Sequence, residues 1–309
     1  MATDRPLLGI ALMLGFCMLA PLGDALAKLL GPEMAVGQLV FLRFAFQAGL
    51  LLPLALLTRR PLRMTRRVAA LVALRTILHI LGIGLVFTAL LYLPLADAIA
   101  IAYVMPFIAL LLGHWIFGET VGPRRLIACA VGFAGTLMVV QPAFAEVGWP
   151  ALLPLGVALV FALFMLTTRA IAPSTDAIAM QAVSALLALA LTGPALLLFS
   201  DAPGLGWAPP SARGWGLIAA MGCAGTFAHL LMTWSLRYAP TATLAPMQYL
   251  EIPFATAIGL LLFDDLPGPL ATLGIAVTMG SGLYVILREH RDARARPVPK
   301  PIHSGTPPA

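Results

Sequence analysis

The chain has 309 residues, 61% of them from the AVILMFWYC set, and its 28 glycines bring the apolar share to roughly 70%, where soluble domains hold about 45–50%. Only 10% are charged, against about 25% for a water-soluble globule. Disorder and a soluble nucleic-acid-binding globule are thereby excluded. An all-α integral membrane protein remains, its helices long enough to cross about 30 Å of hydrocarbon.

Apolar windows cut at proline, glycine and charge clusters predict ten transmembrane helices, at 7–30, 35–57, 68–91, 95–117, 125–140, 151–170, 177–199, 212–236, 241–263 and 270–287. Their short connections leave too little chain for a separate catalytic or binding domain, so function is expected among the helices. The net charge of +6 then reads as topology. With the N-terminus in the cytoplasm, Arg5, Arg59, Arg60, Arg63, Arg66, Arg67, Arg124, Arg125, Arg169, Arg237, Arg288, Arg291, Arg294, Arg296 and Lys300 all fall on the inner side. Glu33, Glu146, Asp201, Asp264 and Asp265 fall on the outer side, so both termini are predicted to be cytoplasmic. The Ala25-Leu26-Ala27 tripeptide imitates a signal-peptide cleavage site. It is read instead as part of the first span, where Asp24 and Lys28 stand one helical turn apart and can form an ion pair.

Polar groups inside spans are the informative minority, because each must be paired, neutral or wet. In the first half these are Asp24 and Lys28, then Arg43, which can reach Glu33 or Asp24, and Arg75. The four are expected to form gate or structural ion pairs. Arg75, His79 and Gly82 share a helix face that should point inward, with His79 lining a cavity or bonding to a neighbouring helix. In the second half Gln248 and Glu251 share one side of the ninth span, where Glu251 is either a proton site or a permanent partner of Arg43 or Arg75. Tyr103, Phe107, Phe164, Phe227, Trp234 and Tyr249 are expected near the centre, while Trp115, Trp149, Trp207 and Trp215 suit interfacial belts. His114 and His229 are expected to make interhelical hydrogen bonds. Pro106 and Pro253 fall mid-span, where each frees a carbonyl and can break a helix at the cavity. Cys17, Cys129 and Cys223 are isolated in apolar runs; neither metal-ligand spacing nor a cofactor or enzyme signature appears, so no metal, cofactor or catalytic residue is expected.

The two halves share a plan: Tyr92-Leu-Pro94-Leu-Ala96 matches Tyr238-Ala-Pro240-Thr-Ala242, Tyr103 matches Tyr249, Pro106-Phe107 matches Pro253-Phe254 after a one-residue shift, and Pro123 matches Pro269. Five spans per half is an odd number, so the second copy enters the membrane from the opposite side. Two inverted five-helix repeats are expected, at 1–143 and 144–288, followed by a disordered basic cytoplasmic tail at 289–309. With Lys28 closing the first span, Phe41-Leu-Arg43-Phe in the second and Gly118-Glu119 ending the fourth, the chain resembles the EamA family of the drug/metabolite transporter superfamily over residues 5–290. Asp264-Asp265 departs from that pattern in the second half. His79 resembles the bacterial amino-acid exporters of the YddG type.

The resemblance implies a secondary transporter of small polar metabolites working by alternating access, an exporter of amino acids across the bacterial inner membrane, and no enzyme. The partners expected are a small-molecule substrate, probed first among amino acids, and the lipid bilayer, with no nucleic acid, in a monomer. Uptake of S-adenosylmethionine, riboflavin or a nucleoside-like compound is the alternative within the family. A membrane-embedded transferase using His79 and Glu251 as acid and base is the alternative outside it.

Overall fold

The computed structural model describes residues 5–105, 107–108, 111–112, 123–238, 244 and 247–295. Among the described residues there is no strand. The α-helices are α1 (Pro6–Leu30), α2 (Val36–Leu57), α3 (Arg66–Leu90), α4 (Leu95–Ala102), α5 (Pro123–Val147), α6 (Leu153–Ile171), α7 (Ala177–Leu198), α8 (Ala212–Tyr238), α9 (Glu251–Phe263) and α10 (Pro269–Ala295). Seven of the helices among the described residues, α1 to α3 and α5 to α8, are long and apolar enough to cross a membrane. Local chemistry sets several ends. Thr65 accepts from the Val68 N–H to start α3, and Asp176 accepts from the Ile178 and Ala179 N–H groups to start α7.

The structure departs from the sequence expectation at four places. The fifth helix runs through Pro142 to Val147, and the last continues to Ala295, into the stretch expected to be disordered. The fourth span is interrupted, because α4 stops at Ala102, Tyr103 and Val104 form a turn, and helical backbone resumes at Met105. The ninth is interrupted at the matching place: Tyr249 and Leu250 form a turn before α9 begins at Glu251. At both turns the chain tightens to bonds between residues three apart, Val104 N–H to Ile101 O at 3.3 Å and Ile252 N–H to Tyr249 O at 3.3 Å. Proline chemistry accounts for the position. Pro106 has no N–H to return to Ala102, nor Pro253 to return to Tyr249, and a proline ring clashes with the carbonyl four residues earlier. Pro106 itself lies outside the described residues, as do His114, Trp115, Gly118 and Glu119.

The bundle is assembled from cross-pairs, each joining a helix before Gly148 to one after it: α1 with α8, α2 with α7, α3 with α6, α4 with α9 and α5 with α10. Contacts fix each pair as antiparallel. Along α1 and α8, Ser235 Oγ donates to Gly9 O, Gly15 meets Leu231, and Gly23 meets Gly225. Along α3 and α6, Arg75 meets Thr168 and Gly82 meets Phe161. Along α4 and α9, Tyr103 meets Glu251 and Leu95 lies against Gly259. Small residues allow a close approach between α5 and α10, where a Cβ on Gly135 would stand 2.9 Å from Gly274 O and 2.7 Å from Thr278 Oγ1.

One end of the bundle gathers Arg59, Arg60, Arg63, Arg66, Arg67 and Arg169, closed by an Arg60–Asp176 ion pair of 2.8 Å. The other carries Glu33, Asp201, Asp264 and Asp265. Replacing Gly135 by leucine should force α5 and α10 apart and destabilise the protein by about 1–3 kcal/mol. Thermal unfolding in detergent should show the loss, and Gly280→Leu, at a site with open space, should show none.

Candidate functional site

A polar seam runs through the middle of the bundle. Gln47 Nε2 of α2 donates to the Gln181 carbonyl of α7 at 3.0 Å, and Gln181 Nε2 reaches His229 O and Thr233 Oγ1 of α8, both at 3.3 Å. His229 Nε2 then meets His79 Nε2 of α3 at 3.1 Å. One ring must donate and the other accept, so at most one imidazole of this pair carries two protons. Arg75 is fully buried beside them, with Nε on Thr168 Oγ1 at 2.9 Å, Nη1 on Ser184 Oγ at 3.2 Å, and its guanidinium over the Phe164 ring. Thr168 can accept from Arg75 because its own proton goes to Phe164 O. Desolvated polar groups in this seam are therefore met mainly by hydroxyls, amides and aromatic faces.

Next to the seam, in the half of the bundle nearer the acidic end, lies a hollow with about 1040 Å³ of atom-free space including its open part. Its wall is apolar over most of its extent. Phe16, Phe87 and Phe161 contribute rings, and Met105, Met165, Met221 and Met232 contribute thioethers, whose flexible stems adapt to irregular shapes. The polar lining is small: Asp24 of α1, Arg43 of α2, Tyr103 in the α4 turn, His229 of α8, and Gln248 and Glu251 flanking the second turn. Tyr103 OH donates to Glu251 Oε2 at 2.5 Å, and the Tyr103 and Tyr249 rings lie 5.4 Å apart. The two helix breaks thus face one another and deliver a hydrogen-bonded carboxylate to the cavity wall.

Of the residues expected at the cavity, Tyr103, Gln248 and Glu251 line it, and Asp24 and Arg43 from the proposed gate set join them. The others do not. His79 and Phe164 are fully buried: His79 of α3 turns toward Phe164 of α6 and His229 of α8, because the packing of Gly82 on Phe161 fixes that face of α3 against α6. Phe107 is buried with Val104 and Ala158, and Trp234 packs beside Leu51 and Leu230. Tyr249 is buried behind Tyr103, Phe227 points outward with 51% exposure, and the Pro253 ring is also exposed. Helix breaks fall just before the prolines, so Tyr103 at the first turn and Gln248 and Glu251 beside the second reach the cavity, and Pro253 does not. His229 makes its expected interhelical bond and in addition reaches the cavity. The methionines and Phe16 were missed, since a Met or Phe in an apolar span has the same pattern whether it packs or lines a hollow.

Asp24 and Lys28 do not pair. Lys28 Nζ reaches past the end of α1 to Asp265 Oδ2 at 3.1 Å and Leu93 O at 2.9 Å, with the Phe263 ring 4.8 Å away. This one ammonium ties the end of α1 to the α3–α4 and α9–α10 loops at the acidic end, opposite the Arg60–Asp176 pair. Arg75 bonds to hydroxyls rather than to a carboxylate, and Glu251 bonds to Tyr103 rather than to either arginine.

A multi-helix apolar bundle around a hollow with few polar groups is the build of a membrane carrier. A family model described as EamA-like transporter family matches residues 7–141, the first half of the chain. The chain is 29% identical to a riboflavin transporter of Rhizobium johnstonii over 71% of each protein. It is 21% identical to an S-adenosylmethionine uptake transporter of Rickettsia prowazekii over 93% of this chain and 95% of that one. It is 25% identical to a pseudopaline exporter of Pseudomonas aeruginosa over 85% and 88% respectively. A crystal structure 18% identical in sequence shares the fold, with a TM-score of 0.64 over 92% of this chain and 97% of the other. Together the matches make the chain similar to EamA-like transporters in its N-terminal part and to bacterial proteins named as transporters, not as enzymes, over most of its length.

Removing the Tyr103 hydroxyl strips the buried carboxylate of its donor. Tyr103→Phe should lower stability by about 1–3 kcal/mol in detergent unfolding. Combining it with Glu251→Gln should recover part of that loss, and a strictly additive double substitution would show that the two groups are not coupled.

Proposed function

We propose that the chain is a secondary transporter that moves a small metabolite by alternating access, its two halves acting as inverted five-helix repeats at 1–143 and 144–288 and its cavity holding the solute. The observation that carries this reading is the pair of helix breaks at Tyr103–Val104 and Tyr249–Leu250, which meet at the wall of a central hollow. The contact pattern supports the repeat. Every cross-pair joins the two halves antiparallel, and the α1–α8 contact is mirrored by α6–α3 in reverse order along the chain. Likewise Gly132 meets Ser281 while Gly135 meets Thr278, so equivalent positions of α5 and α10 contact each other reciprocally. The residues proposed to hold the solute are Asp24, Arg43, Tyr103, His229, Gln248 and Glu251, with Phe16, Phe161 and the four methionines covering its apolar body.

The basic end is assigned to the cytoplasm, which places both termini inside and the cavity nearer the periplasm. Lys28–Asp265 and Arg60–Asp176 then lie at opposite faces, where each can tie one side while the other opens. Amino acids or their derivatives, carried outward, are the proposed solutes: the lining offers one cation and two carboxylates, which suits a zwitterion. A second reading, uptake of a planar heteroaromatic metabolite, draws on the phenylalanine and methionine lining and on the riboflavin and S-adenosylmethionine relatives. Both readings use the same cavity and a gradient as the energy source.

Purified protein in proteoliposomes should catalyse saturable counterflow of an unmodified solute from a panel of labelled amino acids, S-adenosylmethionine and riboflavin. Substitution of Phe161 by alanine should weaken its apparent affinity about tenfold or more through lost apolar contact. Absence of flux for every solute, or release of a chemically altered product, would remove the transport reading.

A further inference from the structure

Among the described residues, the cations inside the bundle are of two kinds. Lys28 and Arg75 are held by hydrogen bonds with the protein: half-buried Lys28 by Asp265 and a carbonyl, Arg75 by two hydroxyls and an aromatic face, with only its Nη2 left over. Arg43 is not. It is 4% exposed, lies on the cavity wall, and makes no hydrogen bond to any described residue, with Nη1 sealed from solvent and lacking a partner. Its immediate surroundings are the Phe44 ring, 5.3 Å from Cζ, and the bare backbone of Gly225, where a Cβ would stand 2.8 Å from Nε.

The charges around it do not supply the missing acceptor. Asp24 attracts Arg43 across the hollow but lies beyond the 4 Å of an ion pair, and the two ion pairs among the described residues are elsewhere. Arg75 repels it from the far side of the seam, and His79 and His229 pair with each other through Nε2 while neither Nδ1 bonds to Arg43. A guanidinium withdrawn from water without a hydrogen-bond partner is strongly disfavoured. Its planar fork of five donors fits a carboxylate with two parallel bonds.

We propose that Arg43 is the anion anchor of the cavity and that the transported solute carries a carboxylate, held side-on by the Arg43 guanidinium. This rests on the transport reading above and narrows its substrate class. Gly225 is part of the device, since a side chain there would displace the guanidinium from the wall. Asp24 and Glu251, which line the same hollow, disfavour a multiply charged anion such as a phosphate ester. They are placed to receive the solute's cationic or hydrogen-bond-donating end, with Gln248. A neutral flavin lacks the group that Arg43 requires.

The test uses the full-length protein in proteoliposomes. For each labelled acid that counterflows, phenylalanine and S-adenosylmethionine among those tried, the unlabelled acid and its carboxamide are compared as competitors. The amide should compete at least about tenfold more weakly, the loss expected when a charge-assisted bond to a buried cation is removed. Arg43→Gln should abolish that preference by weakening the acid alone, and Arg43→Lys should restore part of it. Should Arg43→Gln fail to fold, the acid–amide comparison on the unaltered protein decides by itself. Equal competition by acid and amide overturns the proposal while leaving transport intact, as does counterflow of riboflavin with none for any carboxylate-bearing solute. Lack of flux for every solute removes the transport reading and this inference with it.

Discussion

A polar side chain inside an apolar bundle can turn only toward other protein atoms or toward a wet hollow, and the internal layout of this protein follows from where those side chains find partners. Gln47, Gln181, Thr233, His229 and His79 answer one another in a chain that crosses four helices, α2, α7, α8 and α3. Each link joins the first half of the sequence to the second or one second-half helix to the next. The seam therefore holds in register helices that apolar packing alone would leave free to slide. Arg75 extends the same logic by taking hydroxyl partners from α6 and α7.

The helix breaks are the second consequence of backbone chemistry in a medium without water. A broken helix exposes carbonyls, which is tolerable only where protein or a hollow receives them. Here the two breaks come together, their tyrosine rings packed at a tilt of 46° with centroids 5.4 Å apart, so each shields the other and both border the cavity. The same juxtaposition brings the first residue of α9, Glu251, within reach of the Tyr103 hydroxyl. A carboxylate at that depth is sustained by this bond and by the open space in front of it.

Much of this was legible in the sequence, and the exceptions have physical causes. Apolar length marked the spans, and the match of Tyr103 to Tyr249 marked the place where the halves meet. Pro106 and Pro253 located the breaks to within a turn, but a proline acts on the carbonyl four residues before it, so the cavity-facing residues lie at the breaks themselves: Tyr103 at the first, Gln248 and Glu251 flanking the second. His79 was assigned to the cavity on polarity alone. Polarity says that a side chain turns inward, not whether it meets a hollow or another side chain, and His229 was waiting across the interface. Phe227 and Trp234 failed for a related reason, since an aromatic ring in a span is at home facing lipid, protein or solute. Lys28 defeated the intrahelical pairing rule because its stem is long enough to leave its own helix for Asp265, a carboxylate that lies near in space and 237 residues away in sequence.

The contrast between satisfied and unsatisfied charges separates scaffold from site. Residues whose partners come from the chain, such as Arg75 with two hydroxyls and Lys28 with a carboxylate and a carbonyl, tie helices together without a ligand. Buried Arg43 and half-buried Asp24 face the same hollow and have no hydrogen bond to a described residue. Folding stability does not favour such an arrangement, for a buried charge without a partner is among the costliest features a bundle can hold. Replacing both by apolar residues of similar volume would relieve that cost without disturbing the seam, which runs through other side chains. Their persistence in the wall of the hollow is therefore explained by what enters it rather than by what holds the bundle together.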